Sequence, residues 1–261
     1  MKRFSFLLAL LVFAFGVDVN AKVLRLGNQE IACEIPEGYV EAGGDAYAPL
    51  LSYLGAQYPP GMTIGLVLVS SAADQRLRDG TADSVDDYII LTHERLAGEM
   101  DMVDFLTLKE YLIDEFKHSS LEQLNDALGA VFETNEGQAS FKVNQAAVLV
   151  SETPSSFSHL FTGTVAKGGA SSELLLLHTM KFCGGELLHI YHYCTDGGGP
   201  QAFLQKAKDV PGQLRLSPLK EYKPGGGAVE SGMHDGLFGL GGVLLVCAGV
   251  LAAGLWYRRR R

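Results

Sequence analysis

The chain opens with an apolar run. After two basic residues, positions 4–17 hold almost no polar side chains, and small residues follow up to Ala21. A short positive segment, an apolar stretch and small residues before the cleaved bond are the three parts of a secretory signal. The stretch is also shorter than the roughly 20 residues that a membrane span needs. The pattern therefore predicts a signal peptide over residues 1–21, cleaved between Ala21 and Lys22.

A longer apolar run, residues 236–257, closes the chain and carries no charged residue. As a helix it is long enough to cross the roughly 30 Å hydrocarbon core of a bilayer. Directly after it comes a basic tip of four residues, Arg258, Arg259, Arg260 and Arg261. Because clustered arginines stay on the cytoplasmic side, the pattern predicts a single transmembrane helix with the domain before it outside the cytoplasm.

Strand patterns open the exported part, residues 22–216. Apolar and polar positions alternate on both sides of residues 27–29, which predicts a β-hairpin. Residues 63–70 are apolar on both parities and rich in β-branched side chains, as in a strand that is covered on both faces. Residues 43–60 show no clean period and are expected to form a loop with one helical turn near Leu50.

Three helices are predicted in the middle of the domain. The first runs from about residue 84 to 97, where apolar positions recur at helical intervals. Thr107 and Glu110 form a capping box before the second helix. Ser120 and Gln123 form the same box before the third. Acidic residues lie mainly between the apolar positions, so the helices are expected to form an acidic, solvent-facing layer over a sheet.

Four further strands and a short helix complete the domain. The strands are predicted at residues 140–150, 159–166, 173–182 and 186–194. The pair Gly184-Gly185 between the last two is a two-residue hairpin signal. A helix begins at Pro200, and residues 217–235 form a glycine- and proline-rich tether to the membrane. Together the elements predict an α+β fold, an antiparallel sheet covered by helices, followed by the transmembrane helix.

Several segments of the exported domain resemble those of a known family. They are IPEGY at residues 35–39, the hairpin turn at 183–186, the strand LLHIYHY at 187–193 and the helix after Pro200. With these segments in this order, the domain resembles the PsbP/Mog1/DcrB-like fold over most of its length. The resemblance implies a binding or assembly-assisting module and not an enzyme.

The C-terminal segment has a resemblance of its own. Its glycine-rich stretch, apolar helix and basic tip resemble the GlyGly-CTERM sorting tails of bacterial surface proteins, which implies removal of the tail by a protease. Here Gly241-Gly242 lies inside the apolar run and not ahead of it. We therefore expect the tail to be retained as an anchor, with cleavage as the alternative.

The net negative charge of the chain restricts the kinds of molecule that it can bind. There are 30 acidic and 21 basic residues, a net charge of −9, and the acids are concentrated between Asp74 and Glu136. Such a surface repels phosphate backbones and anionic headgroups, which excludes nucleic acid as a ligand. We expect a protein partner in the bacterial envelope, and contact with the inner-membrane bilayer through residues 236–257.

Three cysteines lie in the exported part: Cys33, Cys183 and Cys194. Cys183 and Cys194 flank one predicted strand, which as an extended chain holds them about 30 Å apart. A disulfide is permitted outside the cytoplasm, so the pairs left to test are Cys33 with Cys194 and Cys33 with Cys183. With three cysteines, at least one is left without a disulfide partner. The chain has no C-x-x-C motif, so thiol–disulfide oxidoreductase chemistry has no support.

Histidines cluster in the last predicted hairpin. With the two glycines as the turn, His178 lies opposite Tyr191, and His178 and His189 become diagonal neighbours on one face, roughly 7–8 Å apart. His192 points to the opposite face. Two histidines lack the third and fourth ligands of a zinc site, so we expect no bound metal and no other cofactor.

Three hypotheses of function follow. The leading one is a membrane-tethered extracytoplasmic binding or assembly module without catalytic activity, since no motif of a known catalytic site is present. The second is an envelope hydrolase or thiol enzyme that uses Cys183 or Cys194 with the hairpin histidines. The third is a surface protein whose C-terminal sorting tail is cut off.

Overall fold

The computed structural model describes most of the exported part of the chain. The described residues are 21–57, 62–82, 85–94, 100–125, 140–167, 170–195, 200–205 and 214–219. Within these ranges, no helix is both long enough and apolar enough to span a bilayer. Almost all of the predicted signal peptide, most of the tether, the transmembrane helix and the arginine tip lie outside the described residues. They stay predictions.

Ten strands and three helices are assigned within the described residues. The strands are β1 (Ala21–Leu26), β2 (Gln29–Glu34), β3 (Tyr39–Glu41), β4 (Met62–Ser70), β5 (Asp87–Glu94), β6 (Ser140–Thr153), β7 (Ser156–Lys167), β8 (Ala170–Cys183), β9 (Glu186–Cys194) and β10 (Leu216–Pro218). The helices are α1 (Ala48–Gln57), α2 (Ser71–Arg78) and α3 (Met102–His118). Residues 121–125 and 200–205 are also helical.

The strands form two antiparallel sheets, which confirms the predicted α+β class for this part of the chain. The large sheet has seven strands in the order β3-β4-β5-β9-β8-β7-β6, and the small sheet has the order β1-β2-β10. Helices α1 to α3 pack their buried side chains on one face of the large sheet. The small sheet packs on β4, β5 and β9 at the opposite face, where Phe203 of the segment 200–205 also packs. The described part of the chain therefore has three layers.

The predicted helix over residues 84–97 is wrong, because residues 87–94 form strand β5. All eight residues of β5 are buried. Side chains of one parity, such as Ile90, pack under the helices, and those of the other parity, such as Ile89, pack under the small sheet. A strand buried on both faces is apolar at nearly every position, and a short apolar run fits helical and strand spacing equally well.

Helix α1 is longer than the sequence pattern predicts, and helix α2 lies where the pattern predicts no helix. Residues 43–60, predicted as a loop with one helical turn near Leu50, contain the ten residues of α1, which buries Leu50 and Leu54 one turn apart. Helix α2 follows β4 without a loop. The Ser70 hydroxyl begins it by accepting a hydrogen bond from the backbone N–H of Ala73 at 3.3 Å.

Helix α3 begins before its predicted capping box at Thr107 and Glu110. Its N-cap is Asp101, whose carboxylate accepts from the backbone N–H of Asp104 at 2.9 Å. The Asp104 carboxylate in turn accepts from the backbone N–H of Asp101 at 3.1 Å. Thr107 lies inside the helix and donates its hydroxyl to the carbonyl of Val103. The predicted box is therefore wrong, and two aspartates form the actual one.

The second predicted capping box, at Ser120 and Gln123, is confirmed. The Ser120 N–H donates to Oε1 of Gln123 at 2.8 Å, and the Gln123 N–H donates to Oγ of Ser120 at 3.1 Å. The box opens the helical residues 121–125. The rest of the predicted third helix lies outside the described residues.

The four strands after residue 139 are confirmed, with ends that differ from the prediction by a few residues. Strands β8 and β9 meet at Gly184-Gly185, whose φ angles of 64° and 87° favour glycine because it lacks a Cβ. The register places His178 opposite Tyr191, as predicted.

Strand β6 forms one outer edge of the large sheet. Its register with β7 shifts between Val143 and Gln145, between Gln145 and Val148, and between Leu149 and Ser151. Such irregularities bend a strand and interrupt its ladder of hydrogen bonds. Val148 and Leu149 are large apolar side chains exposed along this edge.

Candidate functional site

A row of buried polar side chains crosses the helix-covered face of the large sheet. Its members are Glu94 on β5, His189 on β9, His178 on β8 and His159 on β7. Oε2 of Glu94 is 3.1 Å from Nε2 of His189, and Nδ1 of His189 is 3.1 Å from Nε2 of His178. His159 lies opposite His178 in the register. The predicted proximity of His178 and His189 is confirmed, and within the described ranges no three metal-ligating side chains are placed to hold an ion.

Burial keeps one end of this row uncharged. The ring of His159 lies against Phe116, with 4.6 Å between ring centroids, and against Phe157, with 5.6 Å. In these surroundings burial lowers the pKa of His159 to about 4. The pKa of His178 is also lowered, first by burial and then by the nearby His189 and His159. Both rings are therefore neutral at pH 7.

A second polar network lies on the opposite face, near the small sheet. The Tyr39 hydroxyl is 3.0 Å from Oδ1 of Asp87 and 3.0 Å from Nε2 of His192. The same His192 nitrogen is 2.9 Å from Oδ1 of Asp87. Burial, followed by the charge of Asp87, raises the pKa of Tyr39, so its hydroxyl stays protonated and donates to the carboxylate. His192 points away from His178 and His189, as predicted.

A third polar contact joins the two sheets. Nε2 of His93 on β5 lies 2.6 Å from Oε2 of Glu186, and Oε1 of Glu186 accepts from the backbone N–H of Asn28 at 3.0 Å. Burial opposes the ionisation of Glu186, but the hydrogen bonds from His93 and Asn28 outweigh it and lower the Glu186 pKa. The turn of the opening hairpin is thus held against the turn of the last hairpin.

We expect Gly27→Ala to destabilise the protein more than Gly80→Ala. Both glycines have positive φ angles, 59° and 70°, so alanine costs about 1 kcal/mol of backbone strain at each. At Gly27 a Cβ would also overlap the Glu186 carboxylate, whereas nothing lies within 4 Å of a Cβ at Gly80. Urea unfolding should show a loss of about 2–3 kcal/mol for Gly27→Ala. Equal losses in the two variants would show that Glu186 moves aside freely.

The structure separates the two cysteines of the thiol-enzyme hypothesis from His178 and His189. Cys183 and Cys194 lie on the face that the helices do not cover, together with the buried His192, whose Nε2 is already bound to Asp87 and Tyr39. His178 and His189 lie on the other face, stacked in line with Tyr191 of the helix-side core. All four side chains are buried. Burial also raises the pKa of Cys183, and a thiol attacks as the thiolate.

The predicted disulfide of Cys33 stays a prediction. Cys33 on β2 and Cys194 at the end of β9 are both buried. Burial raises the pKa of Cys33 to about 11. Cys33 lies opposite Leu216 in the small sheet, and the Cys183 sulfur is 3.8 Å from the Leu216 carbonyl oxygen. Leu216 is therefore a common neighbour of Cys33 and Cys183.

An open cleft of about 750 Å³ lies on the face of the large sheet that the helices do not cover. Strands β7, β8 and β9 form its floor, and β10, the segment 200–205 and the end of β6 form its walls. Seven hydroxyl side chains of the described residues line it: Ser151, Thr153, Ser155, Ser156, Ser158, Thr179 and Ser217. Five aliphatic side chains of the same residues form its apolar part: Val150, Leu177, Ile190, Leu204 and Leu216. We name this site the hydroxyl cleft.

Among the described residues, the charged side chains that line the hydroxyl cleft are both cations, Lys181 and Arg215, and no acidic, histidine or cysteine side chain lines it. Lys181 is half-buried. Nε of Arg215 lies 3.7 Å from Oε2 of Glu34, which is outside the lining. The hydroxyls of Ser158 and Thr179 lie 2.8 Å apart on the floor. The cleft can therefore offer hydrogen bonds, positive charge and apolar surface to a ligand.

Sequence reasoning misses the hydroxyl cleft because its lining comes from distant parts of the chain. Lining residues between positions 150 and 158, between 177 and 190, at 204 and at 215–217 meet only when the sheet and its neighbours are in place. The one local signal is the run of serines and threonines between residues 151 and 158. Such a run is also typical of a turn, which this segment contains.

No protein-family model and no curated protein matches the chain. Similar solved structures include cyanobacterial PsbP (CyanoP) from Synechocystis sp. PCC 6803, 11% identical with a TM-score of 0.41, over 77% of this chain and 95% of that chain. LpqN, involved in cell envelope biogenesis of Mycobacterium tuberculosis, is 11% identical with a TM-score of 0.36, over 77% and 92%. The Saccharomyces cerevisiae Ran-binding protein Mog1p is 13% identical with a TM-score of 0.29, over 92% and 94%.

PsbP and Mog1 proteins, which the predicted resemblance names, are thus among the solved structures to which the chain is similar. Identities of 11–13% and TM-scores below 0.5 carry no information on a ligand or partner of this chain. What the chain binds follows only from its own residues.

Proposed function

We propose that the protein is a membrane-tethered extracytoplasmic binding module that receives part of an envelope protein in the hydroxyl cleft. The observation that supports this proposal is the contrast between the cleft and the reactive side chains. The cleft is open and lined by hydroxyl, aliphatic and cationic groups. The three described thiols and the hairpin histidines are buried on the two faces of the large sheet. An acid, base or nucleophile has to reach its substrate, so this arrangement suits binding better than catalysis.

The size of the cleft suits a short segment of a partner. A volume of about 750 Å³ falls within the roughly 300–1,000 Å³ of ordinary ligand sites. Its aliphatic side chains supply apolar contact area, and its hydroxyls can orient polar groups by hydrogen bonds. A partner would therefore insert a few side chains into the cleft and leave the rest of its surface outside.

The anchor is part of the same proposal. Residues 1–21 would be removed as a signal. Strand β10 contains the first two residues of the predicted tether, so residues 219–235 would link the domain to the bilayer, and residues 236–257 would cross the inner membrane. The secretory pattern at the start and the arginines at the end support this orientation. Intact-mass spectrometry of the protein from the membrane fraction should give a chain from Lys22 to Arg261. A mass that ends before residue 236 would instead support the sorted surface protein.

The binding proposal is tested by a photo-crosslinking residue in the cleft. Ser217, exposed on β10, is replaced by p-benzoylphenylalanine in the full chain, and intact cells are irradiated. We expect a crosslinked protein adduct at this position. The control is the same replacement at Tyr111, 55% exposed on α3 in the helical layer, which should give none. Adducts of the same mass from both positions, or none from Ser217, would contradict binding in the cleft.

A further inference from the structure

We propose that the hydroxyl cleft selects an anion, a carboxylate or phosphate group on an apolar stem, whose charge is bound by Lys181 and Arg215. The inference rests on the proposed function, because it names the chemical group that a bound partner presents to the cleft. Four features of the described residues support it: the reversal of charge, the position of each cation, and the mixture of hydroxyl and aliphatic side chains.

The charge of the cleft is opposite to that of the chain. The chain has 30 acidic and 21 basic residues and a net charge of −9. In the part of the chain that the structure describes, the cleft is lined by Lys181 and Arg215 and by no aspartate or glutamate. An acidic protein repels anions over most of its surface, so a cationic cleft is where an anion is attracted.

Lys181 is the cation on the floor of the cleft. It lies on β8, opposite Ser156 on β7 and Leu188 on β9, and is half-buried. No residue in the described part of the chain forms an ion pair with Lys181, whereas the buried Lys109 has Glu152 at 3.0 Å. A partly desolvated ammonium group without a counter-charge is unfavourable, and an anion in the cleft would supply that charge.

Arg215 is the cation at the rim. Its side chain is 72% exposed, and its Nε lies 3.7 Å from Oε2 of Glu34. An exposed ion pair at this distance is weak. The guanidinium group has five N–H donors, so it can bind a ligand anion while it stays near Glu34.

The remaining lining residues suit the rest of such a ligand. The hydroxyls of Ser158 and Thr179 lie on the floor and can donate to anionic oxygens. Leu177, Ile190 and Leu216 provide apolar surface in the same cleft. Burial of a short alkyl stem against these side chains adds affinity that a bare inorganic ion lacks.

The two anions are distinguished by the probes. A lysine ammonium is a point charge that binds carboxylate and phosphate alike, so the test uses hexanoate, hexyl phosphate and the uncharged hexanol. Preference for hexanoate would identify an acidic side chain or a chain end as the natural group. Preference for hexyl phosphate would identify a phosphorylated group.

The experiment is a ligand-observed NMR titration of the full chain in a non-ionic detergent. We expect at least one of the two anions to bind, and hexanol to bind at least about tenfold more weakly. Lys181→Met should weaken anion binding at least about tenfold, and the binding should weaken as salt rises. The matched control is Lys142→Met, which removes an exposed lysine of β6 outside the cleft and should change nothing.

Equal binding of hexanol and the anions, or an unchanged affinity in Lys181→Met, would overturn the inference. If circular dichroism shows that Lys181→Met fails to fold, the test is repeated with Arg215→Gln, because the Arg215 side chain is exposed and its replacement should leave the fold intact. Unchanged anion affinity in Arg215→Gln would then overturn the inference. The crosslink at Ser217 tests the proposed function separately. A protein adduct without anion selectivity would support binding of a protein in the cleft and contradict the selection of an anion. Anion binding without an adduct would support the selection of an anion and contradict binding of a protein in the cleft.

Discussion

Replacement of Asp87 by alanine is expected to lower the free energy of unfolding by about 3–5 kcal/mol. One carboxylate oxygen of Asp87 accepts from the Tyr39 hydroxyl at 3.0 Å and lies 2.9 Å from Nε2 of His192. The three side chains are 5%, 8% and 1% exposed. Without the carboxylate, the tyrosine hydroxyl and Nε2 of His192, which lie 3.0 Å apart, keep only each other as partners where water does not reach, and part of their desolvation is left uncompensated. Urea unfolding followed by circular dichroism measures the loss.

The preceding residue provides the control for this prediction. Asp86 pairs with Arg76 at 2.7 Å, but the two side chains are 32% and 43% exposed. Exposed pairs contribute about 0–1 kcal/mol, so Asp86→Ala should have nearly the same free energy of unfolding as the unchanged protein. Similar losses in Asp86→Ala and Asp87→Ala would contradict the importance of burial for this network. Asp87→Asn retains one acceptor oxygen, so its loss of unfolding free energy should lie between those of Asp86→Ala and Asp87→Ala.

Acidification is expected to destabilise the protein through His159. Burial lowers the pKa of His159 from its usual value of 6.5 to about 4 in the folded protein. Between these two pH values the unfolded chain binds a proton that the folded protein does not, so the free energy of unfolding falls as pH falls. A difference of about 2.5 pKa units corresponds to about 3 kcal/mol, fully lost near pH 4. His178, whose pKa is lowered as well, should add to the effect.

His159→Phe tests this pH dependence. The new ring would lie against Phe116 and Phe157, as the imidazole does, and it cannot take up a proton. The loss of stability between pH 6.5 and 4 should therefore shrink by about 3 kcal/mol in urea unfolding. His118→Phe changes a side chain that is 66% exposed and should leave the dependence unchanged. A pH dependence unaffected by His159→Phe would mean that other groups cause it.

The elements that the sequence predicts correctly are those with a strong local signal. The pair Gly184-Gly185 indicates a turn, because glycine readily adopts the positive φ angles found there. The register of β8 and β9 follows from the position of that turn. Strand β5 has no such signal, because its side chains are apolar for two different reasons: Ile90 faces the helices and Ile89 faces the small sheet. Only the neighbouring layers decide between helix and strand there.

The candidate site shows the same limit more strongly. His178 and His189 could be placed together because one hairpin holds both. Their carboxylate partner Glu94 is 95 residues from His189, so no local spacing predicts the contact. Lys181 likewise becomes a cleft residue only when the segments around Ser156 and Arg215 close around it. Such contacts depend on strand order, which the sequence pattern does not provide.

The irregular edge strand β6 bears on how the protein behaves when it is concentrated. An outer strand is normally a template to which a strand of another molecule can add. The register of β6 shifts at three places within its 14 residues. A straight strand from a second molecule could match its hydrogen-bonding groups only over short stretches between the shifts. The exposed Val148 and Leu149 on this edge should therefore not lead to aggregation through strand addition.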